Sequence, residues 1–272
     1  DVNSSLACAL VASRHGIKLG HLESGLRSFD RQMPEEINRI LIDDLSDLFF
    51  VTEQSGIDNL ITENKPKEAI HFVGNTMIDS LEAFQNAIDE RTILSQMKHI
   101  SKYAMLTFHR PSNVDTVQQL EKLTQIIHKI SNQVHLIFSI HPRTMKNLKK
   151  FNLLDSLRNN ANITLMDSLG YLDFIHLVKS AQLVLTDSGG IQEETSYMNV
   201  PCLTVRDNTE RPVTLTIGTN SLVPLDISII EQKVHTILNN SSKDRVSIPF
   251  WDGNATQRIV DIITTSLSIV SK

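Results

Sequence analysis

The sequence predicts an α/β protein built on parallel sheets. Three observations carry that expectation. The short apolar run Leu183-Val184-Leu185 reads as a buried strand, and segments such as Cys202 to Val205 read as further strands. Between them lie stretches with apolar residues at helical spacing, such as Ile37, Ile40, Leu41 and Leu45. The two kinds alternate along most of the chain, which implies parallel strands joined by right-handed crossovers.

Asn3 or Ser4 is the expected cap of a helix from about Ser5 to His15, with Leu6, Ala9, Leu10 and Ser13 near helical spacing and Gly16 as its stop. Asp1-Val2-Asn3 runs straight into that pattern, which predicts a first domain lacking its N-terminal portion. Ile17 to Leu22 reads as a strand. Pro34 suits the first turn of the next helix, and Glu35 and Glu36 suit its positive end. Leu48 to Val51 is a strand, Thr52 caps a helix to about Ile61, and Ile70 to Val73 is the next strand. Gly74-Asn75-Thr76 then turns into a long helical segment, Met77 to His99, where the domain boundary is expected.

A fresh series follows. Strands are expected at Ala104–Phe108, His135–Ile140, Ile163–Met166, Leu183–Leu185, Cys202–Val205 and Ser221–Pro224. Helices are expected at Val117–Ile130, Met145–Phe151, Leu172–Ser180, Ile191–Met198, Ser228–Leu238 and Ala255–Ile269. The stretch Leu183 to Met198 draws the eye first. A strand, a Ser188-Gly189-Gly190 turn and a helix start together form an anion site, because the first N–H groups of a helix lack intrahelical partners. Glu193 and Glu194 are expected in the first turn of that helix. The competing reading is an ordinary βα loop capped by Asp187 or Ser188.

In parallel sheets ligands bind beyond the carboxyl ends of the strands. Four such ends carry polar residues: His109-Arg110, His141-Pro142-Arg143, Asp187-Ser188-Gly189 and Arg206-Asp207. Repeated His and Arg favour an anionic ligand. The first half offers Asp1, Glu23, Arg27, Asp30, Arg31, Glu35 and Glu36. Glu23 is a candidate general acid or base, or else a structural carboxylate paired with Arg27 or Arg39. Glu35 is a catalytic carboxylate or a helix N-terminal charge. His109 is an acid, a phosphate donor or a satisfied loop histidine. Arg211 clamps a diphosphate, or pairs with Glu210 or Asp207.

The 272 residues carry a net charge of −5, a pI near 6.1 and 40% hydrophobic residues. The acidity and the lack of a dense basic run argue against nucleic acid. No apolar run approaches the roughly 20 residues that cross a bilayer, so no membrane partner is expected. Cys8 and Cys202 lie far apart in apolar contexts, which fits a reducing cytosol and core positions better than a disulfide or a metal site.

Taken together, the segments DVNSSLA, HLESGLRSFDRQMPEEINRILID, FVGNTMIDSL, LTFHRPSNVD, IHPRT, LTDSGGIQEE, RDNTERPVT…GTNSLV and DGNATQRI resemble the non-hydrolysing UDP-N-acetylglucosamine 2-epimerases. The resemblance implies a GT-B-like architecture of two Rossmann-like domains facing across a cleft. Residues 1–99 would be the remainder of the first, 100–250 the UDP-binding domain, and 251–272 a helix crossing back to the first. It implies interconversion of UDP-N-acetylglucosamine and UDP-N-acetylmannosamine through UDP elimination to 2-acetamidoglucal and re-addition, with no cofactor and no metal. By motif, Asp1, Glu23, Glu35 and His109 match catalytic positions. Ser188, Gly189 and Gly190 match phosphate-binding positions, Glu194 a ribose ligand, and Arg211 a phosphate or sugar ligand, with Arg110 and His141 beside them. The resemblance further implies a cytoplasmic homodimer that supplies sugars for cell-surface polysaccharide. A 2-epimerase of a modified UDP-N-acetylhexosamine and a GT-B glycosyltransferase are the alternatives. The chain departs from the family at Pro111-Ser112, where Arg-Glu is usual, in a segment that helps bacterial members bind a second UDP-N-acetylglucosamine. Ser24 stands where alanine is usual.

Overall fold

The computed structural model describes residues 1–97, 100–240 and 247–270. The chain divides into two compact units: residues 1–83, 209–216 and 247–272 form unit 1, and residues 84–208 and 217–246 form unit 2.

Unit 1 opens with α1 (Asn3–Arg14), β1 (Gly20–Leu22), α2 (Pro34–Leu45), β2 (Leu48–Val51), α3 (Gln54–Thr62), β3 (Ile70–Phe72) and α4 (Thr76–Ala83). Its three strands pair in parallel in the order β1-β2-β3, with Leu22 opposite Phe50 and Val51 opposite Phe72. The carboxyl ends therefore lie side by side, and the residues that follow them are Glu23, Thr52-Glu53 and Val73–Thr76. Val2, not Asn3 or Ser4, occupies the N-cap position of α1, with no side-chain hydrogen bond. Ala9 is buried in α1, while Leu10 and Val11 are exposed, so the expected apolar stripe is only partly used. Cys8 is exposed rather than a core residue; Cys202 is buried as expected. Glu53, not Thr52, holds the N-cap position of α3.

Unit 2 contains α5 (Gln85–Asp89), β4 (Tyr103–Thr107), α6 (Pro111–Val114), α7 (Val117–Ser131), β5 (His135–Ile140), α8 (Pro142–Lys150), α9 (Leu154–Arg158), β6 (Ile163–Asp167), α10 (Tyr171–Ser180), β7 (Leu183–Thr186), α11 (Gly189–Tyr197) and β8 (Cys202–Val205). The short α12 (Val213–Thr216) belongs to unit 1. Unit 2 resumes with β9 (Asn220–Val223) and α13 (Ile227–Asn239), and α14 (Ala255–Val270) returns to unit 1. Among the described residues the second sheet has six parallel strands in the order β6-β5-β4-β7-β8-β9. Strands β7 and β8 are buried throughout, as strands covered by helices on both faces must be. A large apolar cluster built on Leu106, Phe138, Leu185 and Leu203 packs one face, and a second on Met105, Ile137 and Val184 packs the other.

The expected single helix from Met77 onward is broken into α4, α5 and a 3-10 turn at Leu94–Met97, and His99 lies outside the described residues. The cause is tertiary. Arg91 binds Asp173 at 2.6 Å, His176 meets the Ile88 carbonyl at 2.8 Å, and Lys179 binds Asp89 at 2.5 Å, which draws residues 84–91 onto α10. The same bonds place residues 84–97 with unit 2, not with the first 83 residues, as the expected division at 99 had it. Helix α11 begins at Gly189, two residues earlier than expected, so Glu193 and Glu194 fall in its second turn.

Candidate active site

In unit 1 the first candidate side chains stand where the small sheet ends. β1 stops at Leu22, and the chain turns sharply: Glu23 has φ +61° and Gly25 φ +77°. A positive φ is uncommon for a residue with a Cβ and places the Glu23 carboxylate beside the strand end rather than along it. A cavity of about 330 Å3 is lined by Asp1, His21, Leu22, Glu23, Leu26, Arg39, Thr76, Glu210 and Arg211. Within it, Arg211 Nη2 lies 3.4 Å from Glu23 Oε2, and Arg211 Nη1 pairs with Glu210. Arg39 Nη2 donates to Asp1 Oδ2 at 2.7 Å. The cavity thus alternates carboxylates with guanidinium groups.

That arrangement is fixed from behind. Asp43, fully buried, binds His21 Nδ1 at 2.6 Å and Arg27 Nη2 at 2.7 Å, and accepts from Gly25 N at 3.0 Å. Burial alone would raise its pKa, but the His21 hydrogen bond and the Arg27 charge hold the carboxyl below its ordinary value. Arg27 also binds Glu63 at 2.6 Å. So Arg27 pairs with Asp43 and Glu63, and the Arg27 alternative for Glu23 does not hold.

Of the two glutamates after Pro34, Glu36 turns inward. It is 1% exposed and accepts from Ser28 N, Ser28 Oγ and Phe29 N, each at 2.9 Å. Glu35 is exposed and is not among the residues lining the cavity. Asp1, Glu23 and Arg211 are brought together with a residue that the sequence reading left as a structural partner, Arg39. The available signal was spacing: Arg39 follows the inward-turned Glu36 by three residues on the same helix, and its Nη1 lies 3.4 Å from Glu36 Oε2.

Unit 2 gathers its candidates at the switch point of its sheet. The chain winds outward from β4 in one direction through β5 and β6, then from β7 in the other through β8 and β9. Thr107 of β4 pairs with Thr186 of β7, so the two central strands end level. His109-Arg110 follow one and Asp187-Ser188 the other, where an open α/β sheet leaves a crevice for ligand. Asp187 organises this corner. Its buried carboxylate accepts from His109 N (3.1 Å), Arg110 N (2.9 Å) and Asn113 Nδ2 (3.0 Å), and lies 3.1 Å from His109 Nδ1. Burial would raise its pKa, but the His109 and Asn113 hydrogen bonds hold the carboxyl below the usual range. Arg110 Nε donates to the Asp187 carbonyl at 2.9 Å.

His141 stands 5.4 Å from His109 between ring centroids. Its Nδ1 accepts from Arg143 N at 3.2 Å, capping α8, and burial, His109 and Arg143 pull its pKa down. Ser188 occupies the N-cap position of α11 without a side-chain cap bond, and Gly189 and Gly190 are its first two residues. Their amides are the partnerless donors of a helix start. Glu194, 5% exposed, lies one turn further on; burial pushes its carboxyl up to about 7, with a Tyr171 hydrogen bond opposing the rise. Burial and Glu194 together push the Tyr171 phenol up. Neither Asp187 as organiser nor Tyr171 was read from the sequence.

Unit 1 therefore holds carboxylates suited to proton transfer among cations, and unit 2 holds a helix start, histidines and arginine suited to phosphate. Known proteins share this chain's pattern over nearly its full length. Residues 1–264 match the family model described as UDP-N-acetylglucosamine 2-epimerase. A protein of Methanococcus maripaludis named UDP-N-acetylglucosamine 2-epimerase is 44% identical over 271 residues, covering 97% of this chain and 73% of the relative. The crystal structure of Methanocaldococcus jannaschii UDP-GlcNAc 2-epimerase in complex with UDP-GlcNAc and UDP superposes with a TM-score of 0.88 at 41% identity, covering 97% of this chain and 74% of that one. A Pseudomonas aeruginosa protein named UDP-2,3-diacetamido-2,3-dideoxy-D-glucuronate 2-epimerase is 35% identical, covering 97% of this chain and 72% of the relative. With a whole-chain family match and identities of this order joined to the two clusters, the chain belongs to the UDP-N-acetylglucosamine 2-epimerase family.

Proposed function

We propose that this protein interconverts UDP-N-acetylglucosamine and UDP-N-acetylmannosamine. The reaction removes the C2 proton and breaks the C1–O bond, releasing UDP and leaving 2-acetamidoglucal. UDP then adds back at C1 while a proton is delivered to the opposite face of C2. Protons and the leaving group balance without a redox partner. The observation that carries the reading is the 330 Å3 cavity in which Asp1 and Glu23 stand beside Arg39 and Arg211. Carboxylates move the sugar protons, at a contribution of roughly 10²–10⁴-fold each. The guanidinium groups stabilise developing negative charge.

In unit 2, Ser188, Gly189 and Gly190 take the diphosphate, with His109 as the acid for the departing oxygen and Arg110 and His141 as further cationic or hydrogen-bonding support. Glu194 takes the ribose hydroxyls. The exposed Glu35 joins the catalytic set only through a substrate that extends to it. Cytoplasmic nucleotide sugars are the source, cell-surface polysaccharide the destination, and a homodimer the working form.

The test is proton NMR of the purified protein with UDP-N-acetylglucosamine in D2O. C2 deuterium in both UDP-linked epimers is the expected result. Free N-acetylmannosamine, or sugar transfer without C2 exchange, would overturn it. The 35% identity to the Pseudomonas protein supports one second reading, a UDP-hexosamine modified elsewhere on the ring. Exchange seen only with such a substrate would select it.

A further inference from the structure

Two segments that build the unit 1 cavity converge on the first turn of α3. The Glu23–Leu26 turn lies against it so closely that a Cβ at Gly25 would stand 2.2 Å from the Gly56 carbonyl oxygen. The Arg211 segment reaches the same turn from the other side. There Glu53 Oε1 accepts from Val213 N at 3.3 Å and from Ser55 Oγ at 2.6 Å. Glu53 is 2% exposed, and its second oxygen, Oε2, is buried with no hydrogen-bond partner among the described residues.

A buried carboxyl with an unused oxygen is costly unless its position serves something. Burial pushes its pKa up; the Arg211 charge opposes the rise and the Glu210 charge adds to it. Residues 209–216 sit in unit 1 while the chain on both sides sits in unit 2, so this segment needs an anchor in unit 1.

We propose that Glu53 is a positioning residue: by accepting the Val213 N–H it fixes the backbone of the 209–216 segment and so sets the Arg211 guanidinium against the Glu23 carboxylate. The inference rests on the proposed role of Arg211 toward a UDP-sugar. The acceptor bond needs an oxygen and no charge, so glutamine serves in Glu53's place and alanine does not.

The test is a double-mutant cycle on C2 exchange and epimerisation with E53A, R211A and the pair, together with E53Q and V213P. The V213P substitution removes the donor and leaves Glu53 in place, and proline is tolerated at the first position of a helix such as α12. We expect E53A and V213P each to lower kcat/KM by about tenfold, E53Q to recover most of that loss, and E53A to cost under about twofold when R211A is already present. Full additivity, or E53Q as damaging as E53A with both melting like wild type, overturns the inference while the epimerase reading stands. Wild-type turnover in R211A overturns the assigned role of Arg211 and the inference with it.

Discussion

Glu23 stands one residue past a strand end with φ +61°, its carboxylate 3.4 Å from Arg211. Replacing it with glutamine preserves size and removes the carboxylate's capacity to take or give a proton. C2 exchange should fall by roughly 10²–10⁴-fold with the melting temperature within a few degrees of wild type; retained exchange would remove Glu23 from the proton-transfer set. Glu194 makes a pH-dependent prediction. Its folded pKa of about 7 lies above the ordinary 4.5. Between those values the folded chain keeps a proton that the unfolded chain releases, so this group's contribution to stability falls as pH rises through the window. An ionised carboxylate offers two strong acceptor oxygens to the ribose hydroxyls and the protonated form only its carbonyl oxygen, so on the proposed role UDP affinity should weaken as pH drops from 8 to 6. Glu194→Gln should flatten both profiles, which calorimetry and thermal melts at several pH values will measure. Adjacent carboxylates show where residue-level legibility ends. Glu35 and Glu36 differ by one step around a helix, and the Ser28-Phe29 turn together with Arg39 holds Glu36 inward. Asp187 was visible in the motif, but its work is to receive the backbone amides of residues 78 and 77 positions away, which no local pattern encodes.

Strand–turn–helix units were the most legible parts. The apolar run at Leu48–Val51 and the mostly apolar Cys202–Val205, with Thr204 its one polar residue, fall where expected, because a strand buried on both faces is rich in apolar residues. Short helices such as α6, α9 and α12 were missed, since four or five residues hold too little periodicity to read. The break between α4 and α5 was missed for the opposite reason: local helical pattern was present and the Arg91–Asp173 and Lys179–Asp89 pairs overrode it. The turn after β1 yields an element-scale prediction. Gly25→Ala combines φ +77° with a backbone oxygen 2.2 Å from the new Cβ. It should destabilise by more than about 1 kcal/mol and displace Glu23 from Arg211, seen as a lower melting temperature and slower exchange together. At the start of α11 the Ser188 hydroxyl makes no cap bond and stands beside the Gly189 and Gly190 amides as a further donor, so Ser188→Ala should weaken UDP binding more than it slows the chemical step; lost turnover at unchanged UDP affinity would refute that division of labour.

At the scale of the molecule the two units differ in what holds them. Unit 2 has apolar clusters on both faces of a six-stranded sheet, whereas the clusters around Phe49 and Phe50 in unit 1 are small. The single tryptophan, Trp251, is buried in unit 1 with Nε1 donating to the Thr52 carbonyl at 3.0 Å. Its fluorescence therefore reports unit 1 alone. In urea its transition should come at lower concentration than the far-ultraviolet dichroism midpoint, which averages both units; coincident curves would mean one cooperative block. The return of the C-terminal helix was expected only from the family resemblance, whereas two α/β halves were legible from the alternating pattern. The eight residues 209–216 were not, because a loop's allegiance depends on partners such as Glu53, 160 positions earlier. That interleaving has a consequence at the ribosome. Unit 2 has its last described helix once residue 239 has emerged, while unit 1, which precedes it in the chain, waits for residues 247–270 to seat α14 and Trp251. Synthesis from the N-terminus therefore finishes the second-encoded unit first, and Asp1 and Glu23, which precede that unit in the chain, are locked in place after it.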